Sequence, residues 1–339
     1  MLQSRIKPLP SSQRQEENHR EEETQEDIDL FTSFLPHLFP DETHTCLGDP
    51  GQTLLYDSPA FGPLRVVVPG DDNEEAKGAE EVRRLFAHYL WGGALVVAEG
   101  VERDNKCREG GEERRGRGMW DVGGLRVLEV GAGAALPSLI ASLSGASSVT
   151  ITDHPSSSGL YGPIQSTISQ NISSEAAWSK ITIAPHEWGV LPSDAESTGS
   201  KSTEADLAFA TANKGCFDRI ICADCLWMSD QHENLIRSLA WFLAPPSSSS
   251  SSEEKSTGGR IWVTAGFHTG RHVVARFFDK AVEAGFVVED VWERDMNADS
   301  SEEITREWCP VREGEGPENR ARWCVVACLR KGVDIQERC

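Results

Sequence analysis

Short apolar runs and longer stretches with apolar residues at helical spacing alternate through the second half of this chain. The runs at 126–130, 148–152, 181–185, 218–223, 260–265, 286–293 and 322–329 are the length of buried strands. Between them, 135–144, 162–171, 231–242 and 271–284 carry apolar residues on one helical face. Strand-then-helix repetition predicts an α/β domain, a mostly parallel sheet with helices on both faces. Polar, low-complexity sequence at 193–215 and 245–259 predicts surface loops. Upstream, 54–56 and 64–68 read as a hairpin broken by Ser58-Pro59 and Gly62-Pro63. Val82, Leu85, Phe86, Tyr89 and Leu90 predict a helix over 82–101, locally weakened by Gly92 and Gly93. The charged, glycine-rich stretch to Gly118 then reads as an insertion near 102–118.

This pattern divides the chain into an acidic, largely disordered region over 1–50 and one domain over 51–332. No run approaches the ~18 apolar residues of a membrane span, and the amino end carries no apolar leader, so a soluble cytoplasmic protein is expected. Nine cysteines without framework spacing suit a reducing compartment. The formal net charge of −21 argues against nucleic acid as partner and for a basic one. Part of that charge lies in runs at 16–17, 21–23, 71–75 and 253–254, which read first as solvated surface.

The candidate chemistry begins where the first core strand meets its helix, at Leu128-Glu129-Val130-Gly131-Ala132-Gly133-Ala134-Ala135-Leu136-Pro137. Gly131 and Gly133 permit a tight turn with bare main chain against a ligand, and the following helix aims free N–H groups there. Asp153, about 20 residues past the turn, can take a ribose hydroxyl pair. A dinucleotide turn wants a third glycine or alanine where this chain has Leu136, followed by Pro137. Glu129 would repel a pyrophosphate but attract the ammonium of a methionine-like group, which favours S-adenosylmethionine over NAD. Asp224-Cys225-Leu226-Trp227 ends a later strand and so reaches the same sheet edge. Cys222-x-x-Cys225 lacks a second pair, and His268 with His272 lacks the zincin glutamate, so no metal site is assigned.

At these residues the chain resembles the seven-strand S-adenosylmethionine-dependent methyltransferases, and among them methyltransferase family 16, mostly protein lysine methyltransferases. The family turn Glu-Leu-Gly-Ala-Gly-x-Gly-Leu-Pro is matched by Glu129 to Pro137, with Val130 and Ala135 as departures. Its Asp-x-x-Tyr/Phe motif is matched by Asp224 to Trp227, and its tryptophan segments by Trp91-Gly92 and Trp188-Gly189. The resemblance spans roughly Leu54 to Arg330. It is nearest to the fungal branch named after nicotinamide N-methyltransferase, which includes enzymes methylating the N-terminus and a nearby lysine of elongation factor 1-alpha.

The resemblance implies a Rossmann-like, seven-stranded, mostly parallel sheet whose last two strands pair antiparallel. It implies S-adenosylmethionine held by Glu129, the turn Gly131, Ala132 and Gly133, Asp153 at the ribose, Trp188 at the adenine, and Trp91 and Ala223 on the remaining walls. Asp224 would orient the acceptor amine and Trp227 would wall the transfer point. Three functions stay open: methylation of a lysine or N-terminal amine of a basic protein such as a translation factor, methylation of a small nicotinamide-like amine, or non-catalytic binding on the same fold.

Overall fold

The computed structural model describes residues 3–9, 46–70, 89–109, 118–192, 204–245, 258–298 and 303–332. The four acidic runs, the first seven residues of the predicted helix 82–101 and parts of each predicted insertion lie outside the described residues.

The domain opens with a small antiparallel layer of β1 (Ile6–Pro8), β3 (Thr53–Ser58) and β4 (Gly62–Val67), and a bridge between β2 (Cys46–Leu47) and β5 (Leu90–Trp91). Residues 3–9, within the stretch expected to be disordered, are held by this pairing. Arg5 inserts beside Glu99 and Glu102 of helix α1 (Gly92–Glu109). The free edge of β4 is closed by helix α3 (Pro163–Asn171). Asn171 accepts from the Arg65 N–H and donates back to its carbonyl, and Thr167, one turn earlier, accepts from Val67 N–H. Paired edges of this kind block strand addition.

The main sheet follows the predicted runs closely: β6 (Arg126–Val130), β7 (Ser148–Asp153), β8 (Ile181–Pro185), β9 (Arg219–Ala223), β10 (Arg260–Gly266), β11 (Phe286–Asp295) and β13 (Trp323–Lys331). An eighth strand, β12 (Thr305–Glu307), adds to one edge, giving the order β12-β11-β13-β10-β9-β6-β7-β8. β6 to β10 run parallel, and β13 lies antiparallel between β10 and β11, so the last two of the seven expected strands form the expected antiparallel pair. Helices α2 (Leu136–Leu143), α6 (His232–Phe242) and α7 (Arg271–Glu283) match predicted segments to within a residue. Short helices α4 (Glu175–Trp178), α5 (Glu204–Ala212) and α8 (Pro317–Ala321) complete the described set. Among the described residues no helix is long and apolar enough to cross a membrane.

Period-two alternation sends successive strand residues to opposite faces. Val127, Ile151, Ile221 and Trp262 pack with α1, α2 and the hairpin, while Leu128, Val130, Ile220, Val263 and Ala265 pack with α6 and α7. A strand covered on both sides reads as a continuous apolar run, which is why β6 was visible in sequence. Burying one such leucine or valine contributes roughly 1.5–3 kcal/mol.

The chain goes from β6 outward to β7 and β8, then returns to place β9 on the other side of β6. That reversal leaves a crevice at the carboxyl ends of β6 and β9, the place where parallel sheets bind ligands. Helix α1 departs from expectation: it starts at Gly92 after a short strand and runs to Glu109, so 102–109 continue a helix. The glycines lie at its first turn because the Asp224 carboxylate reaches that turn.

Candidate functional site

The turn after β6 has three residues in the left-handed region: Gly131 (φ 62°), Gly133 (φ 52°) and Ala135 (φ 58°). Ala132 N–H bonds the Thr152 carbonyl at 3.0 Å, tying the turn to β7. A Cβ on Gly131 would lie 2.9 Å from Cys225 Sγ and 3.1 Å from the Trp188 ring. At Gly133 it would meet nothing within 4 Å, so main chain faces open space. Ala135 holds the strained conformation with a side chain, at the position where the family turn has its third glycine. Glu129 lies buried beneath the turn, its Oε2 accepting from Ser138 N–H at 3.0 Å in the first turn of α2. Burial pushes its carboxyl up to about 8, opposed by the Ser138 hydrogen bonds and reinforced by Asp153. No cationic side chain among the described residues bonds to it.

Asp153, the last residue of β7, accepts from Gly133 N–H at 2.9 Å and from His154 N–H at 2.7 Å. One strand further out, His186 N–H bonds the Asp153 carbonyl at 2.8 Å and starts the loop that carries Trp188 across the glycine turn.

Opposite stands Asp224, at the end of β9, with φ 53° and its N–H on the Thr264 carbonyl at 2.7 Å. Its Oδ2 accepts from Gly93 N–H at 2.6 Å, and Ala94 N–H adds a further donor; Oδ1 accepts from Gly266 N–H at 3.0 Å. Asp224 therefore caps α1, a helix 131 residues earlier in the chain, and ties it to β10. A Cβ on Gly93 would lie 2.4 Å from Oδ2, which is why that position has no side chain. Burial raises the Asp224 carboxyl to about 6, against the main-chain donors from Gly266, Gly93 and Ala94. Trp91, just before α1, stacks on His268 at 5.0 Å and meets Tyr89 edge-on at 6.1 Å.

These walls bound a cleft that is open to solvent at its mouth. Of the residues picked from sequence, Trp91, Gly131, Gly133, Asp153, Trp188, Ala223, Asp224 and Trp227 line the cleft together. Ala132 and Glu129 do not line it; they sit in and beneath the turn. Lining residues that no sequence signal singled out include Tyr89, His154, His186, Glu187, Met228 and Gln231. Each belongs to a connection whose path periodicity does not encode. Glu187, next to Trp188, carried the nearest signal. The lining carries carboxylates at Asp153, Glu187 and Asp224 and neither lysine nor arginine.

Cys225 is buried beside the Val130 carbonyl, and its hydrogen bond with Cys222, followed by desolvation, holds the thiol well above its ordinary range. His268 lies in the turn before α7 and His272 within that helix. Among the described residues no group of three or more His, Cys, Asp or Glu side chains is arranged to hold a metal ion.

No protein-family model matches the sequence. The chain is homologous to fungal proteins named protein N-terminal and lysine N-methyltransferase EFM7. It is 28% identical to that of Gibberella zeae over 212 residues, 62% of this chain and 70% of the relative. It is 27% identical to that of Schizosaccharomyces pombe over 174 residues, 51% of this chain and 57% of the relative. For that of Neurospora crassa the figures are 29% over 207 residues, 60% and 63%. The chain thus spans between 57% and 70% of the length of these curated relatives. Among solved structures, a putative S-adenosylmethionine-dependent methyltransferase from Streptococcus mutans is 13% identical, with a TM-score of 0.42, covering 90% of this chain and 66% of that one. The methyltransferase resemblance carried by the glycine turn and the Asp-x-x-aromatic motif is borne out by the named relatives.

Proposed function

We propose that this chain uses S-adenosylmethionine to methylate an amine of a protein, a lysine side chain or an N-terminus, with a basic translation factor as the acceptor class. The observation that carries the reading is one cleft at the switch point of the sheet, with bare glycine main chain on one wall and Asp224 with Trp227 on the other. The residues fit the cofactor. Gly133 leaves its Cβ space empty, and Glu129 is a buried carboxyl to which no cationic side chain among the described residues bonds, so a methionine ammonium above it would favour its ionised form. Asp153 would take the ribose hydroxyls and Trp188 the adenine, with Trp91 and Ala223 on the adjoining walls.

Bound S-adenosylmethionine supplies an electrophilic methyl on a sulfonium. The chain's own part is to align and desolvate a neutral amine against it, which needs no covalent nucleophile. With its carboxyl at about 6, Asp224 is ionised at neutral pH. Its oxygens take three main-chain N–H groups, from Gly93, Ala94 and Gly266, and of about four acceptor sites this leaves one for an incoming N–H. Trp227, Trp91 and Tyr89 line the cleft, and an aromatic lining favours an amine becoming cationic. Carboxylates without lysine or arginine on the lining favour a basic acceptor. An acceptor from translation implies a cytoplasmic reaction.

Calorimetric titration with S-adenosylmethionine and, separately, NAD tests the cofactor half. The wild-type chain should bind the first and not the second, and Asp153→Ala should weaken binding by about tenfold or more, since a hydrogen bond to a charged group is worth about 1.5–3 kcal/mol. Binding of NAD in preference, or an Asp153→Ala variant with unchanged affinity, would contradict it.

A further inference from the structure

Three side chains that the proposed chemistry leaves unused form a closed hydrogen-bond chain behind Trp188. His186 Nδ1 lies 2.8 Å from Asp206 Oδ1, and His186 Nε2 lies 2.9 Å from Ser238 Oγ. Asp206 Oδ2 accepts from Glu187 N–H at 2.9 Å, and Ser238 Oγ accepts from Gly189 N–H at 2.9 Å. A carboxylate only accepts, so the Nδ1 proton points to Asp206; the Ser238 hydroxyl, already accepting from Gly189, then donates to Nε2. Every polar atom of the chain has its partner.

The three come from different elements: His186 follows β8, Asp206 sits on α5 and Ser238 on α6. His186 and Ser238 are no more than 1% exposed and Asp206 is fully buried. The His186 ring packs edge-on against Phe242 at 4.9 Å and beside Phe209 at 5.8 Å. The order Ser–His–Asp invites comparison with a hydrolase triad. Yet Ser238 Oγ has no exposure and already accepts a main-chain N–H, so no acyl group can reach it.

What the chain does hold is the backbone on both sides of one residue. Glu187 N–H is fixed to Asp206 and Gly189 N–H to Ser238, and between them Trp188 lies over Gly131. Asn234, one helical turn before Ser238, fills the space where a Gly189 Cβ would stand, 2.5 Å from that position, and Gly189 has φ 84°. The loop is therefore over-determined at 187 and 189. Fixing a ring before a ligand arrives removes ordering entropy from the binding step.

We infer that His186, Asp206 and Ser238 are positioning residues that hold the Trp188 ring ready for the adenine of the cofactor, setting affinity for the nucleoside part of the ligand. The inference rests on the proposed cofactor reading. Its distinct content is that the network acts through Trp188.

The test is a double-mutant cycle on the full chain, with dissociation constants for S-adenosylmethionine and S-adenosylhomocysteine read by calorimetry below the unfolding temperature of each variant. Ser238→Ala should weaken binding by about tenfold and Trp188→Ala by at least as much, within the range of losses seen when a buried donor is left unpaired. In the Trp188→Ala background, Ser238→Ala should add less than about twofold, the non-additivity of residues acting through one contact. Asp206→Asn, which keeps one acceptor oxygen, carries the same comparison if Ser238→Ala does not fold. Fluorine NMR of 5-fluorotryptophan protein gives a direct signature: the Trp188 resonance, assigned by Trp188→Phe, should be single in the wild type and broadened or split in Ser238→Ala. Affinities within twofold of wild type, a fully multiplicative double mutant, or an unaltered Trp188 resonance would each overturn the inference. A wild-type chain that binds neither ligand would overturn the cofactor reading itself, whereas loss of binding in Asp153→Ala with none in Ser238→Ala would overturn only this inference.

Discussion

Replacing Glu129 by glutamine should make the protein more stable and bind its cofactor less well. The carboxyl is buried, accepts one main-chain N–H from Ser138, and is raised by desolvation from 4.5 to about 8. A group whose pKa is raised on folding stabilises the fold below its unfolded value and loses that contribution as pH rises through the folded one. The affected window is therefore about pH 4.5 to 8. At pH 7 the unfolded chain carries Glu129 ionised, and folding must take up a proton, which costs about 3 kcal/mol at about 1.4 kcal/mol per pH unit. Glutamine needs no proton and keeps an oxygen for Ser138 N–H. Urea denaturation of Glu129→Gln should show up to about 3 kcal/mol more stability than wild type at pH 7, shrinking to under about 1 kcal/mol at pH 5. In the same variant, affinity for S-adenosylmethionine should fall by about tenfold, because glutamine cannot ionise beneath an arriving ammonium. Wild-type affinity should rise with pH towards 8. A variant that is less stable at pH 7, or whose stability profile runs parallel to wild type between pH 5 and 8, refutes the reasoning about the buried charge. Unchanged cofactor affinity refutes the ammonium role.

Asp224→Ala should lower methyl transfer at least about 100-fold, the usual scale for a positioned acid–base group, while calorimetry finds cofactor affinity little changed. In the wild type, transfer should decline as pH falls through about 6, where Asp224 takes up a proton. Gly93→Ala should also abolish transfer, since its Cβ would stand 2.4 Å from the Asp224 oxygen; a fully active variant would show that the α1 terminus can shift away. Ala135→Gly exchanges about 1–2 kcal/mol of left-handed strain for the loss of one buried methyl, about 0.8 kcal/mol, so denaturation should read a gain of up to about 1 kcal/mol. Arg271 bonds Glu293 at 2.6 and 2.7 Å and also pairs with Glu315, so Arg271→Ala leaves buried carboxylates short of a partner. Chemical denaturation should register a loss of about 3 kcal/mol or more.

Strands buried on both faces were legible because little that is polar interrupts them: Val127, Leu128 and Val130, with only Glu129 between them, give β6 at its observed bounds. The chemistry of the two facing walls was legible for the same reason, since Gly131, Asp153 and Asp224 each stand at the end of such a strand. Elements fixed by distant partners were not. Helix α1 begins where Asp224, 131 residues later, supplies its cap, and no local signal at Gly92-Gly93 reports that. β12 is three residues long, below any period, and is joined to its neighbours by the Arg306 pairs with Glu293 and Glu315. Helix α5 carries Leu207 and Phe209 among helix formers but follows polar sequence that dominated the local average. Asp206 and Ser238 lie 20 and 52 residues from His186, and their types are ordinary for helix surfaces until the fold buries them.

The central claim is that this cleft moves a methyl group from S-adenosylmethionine to a protein amine. The most direct measurement is incubation of the purified chain with tritiated S-adenosylmethionine and a cell lysate, fractionated afterwards into proteins and small molecules, with Asp224→Ala run in parallel. Tritium in a discrete protein band, on a lysine or N-terminal amine by mass spectrometry and absent with Asp224→Ala, is the predicted result; tritium confined to the small-molecule fraction, or equal labelling by the variant, would contradict it.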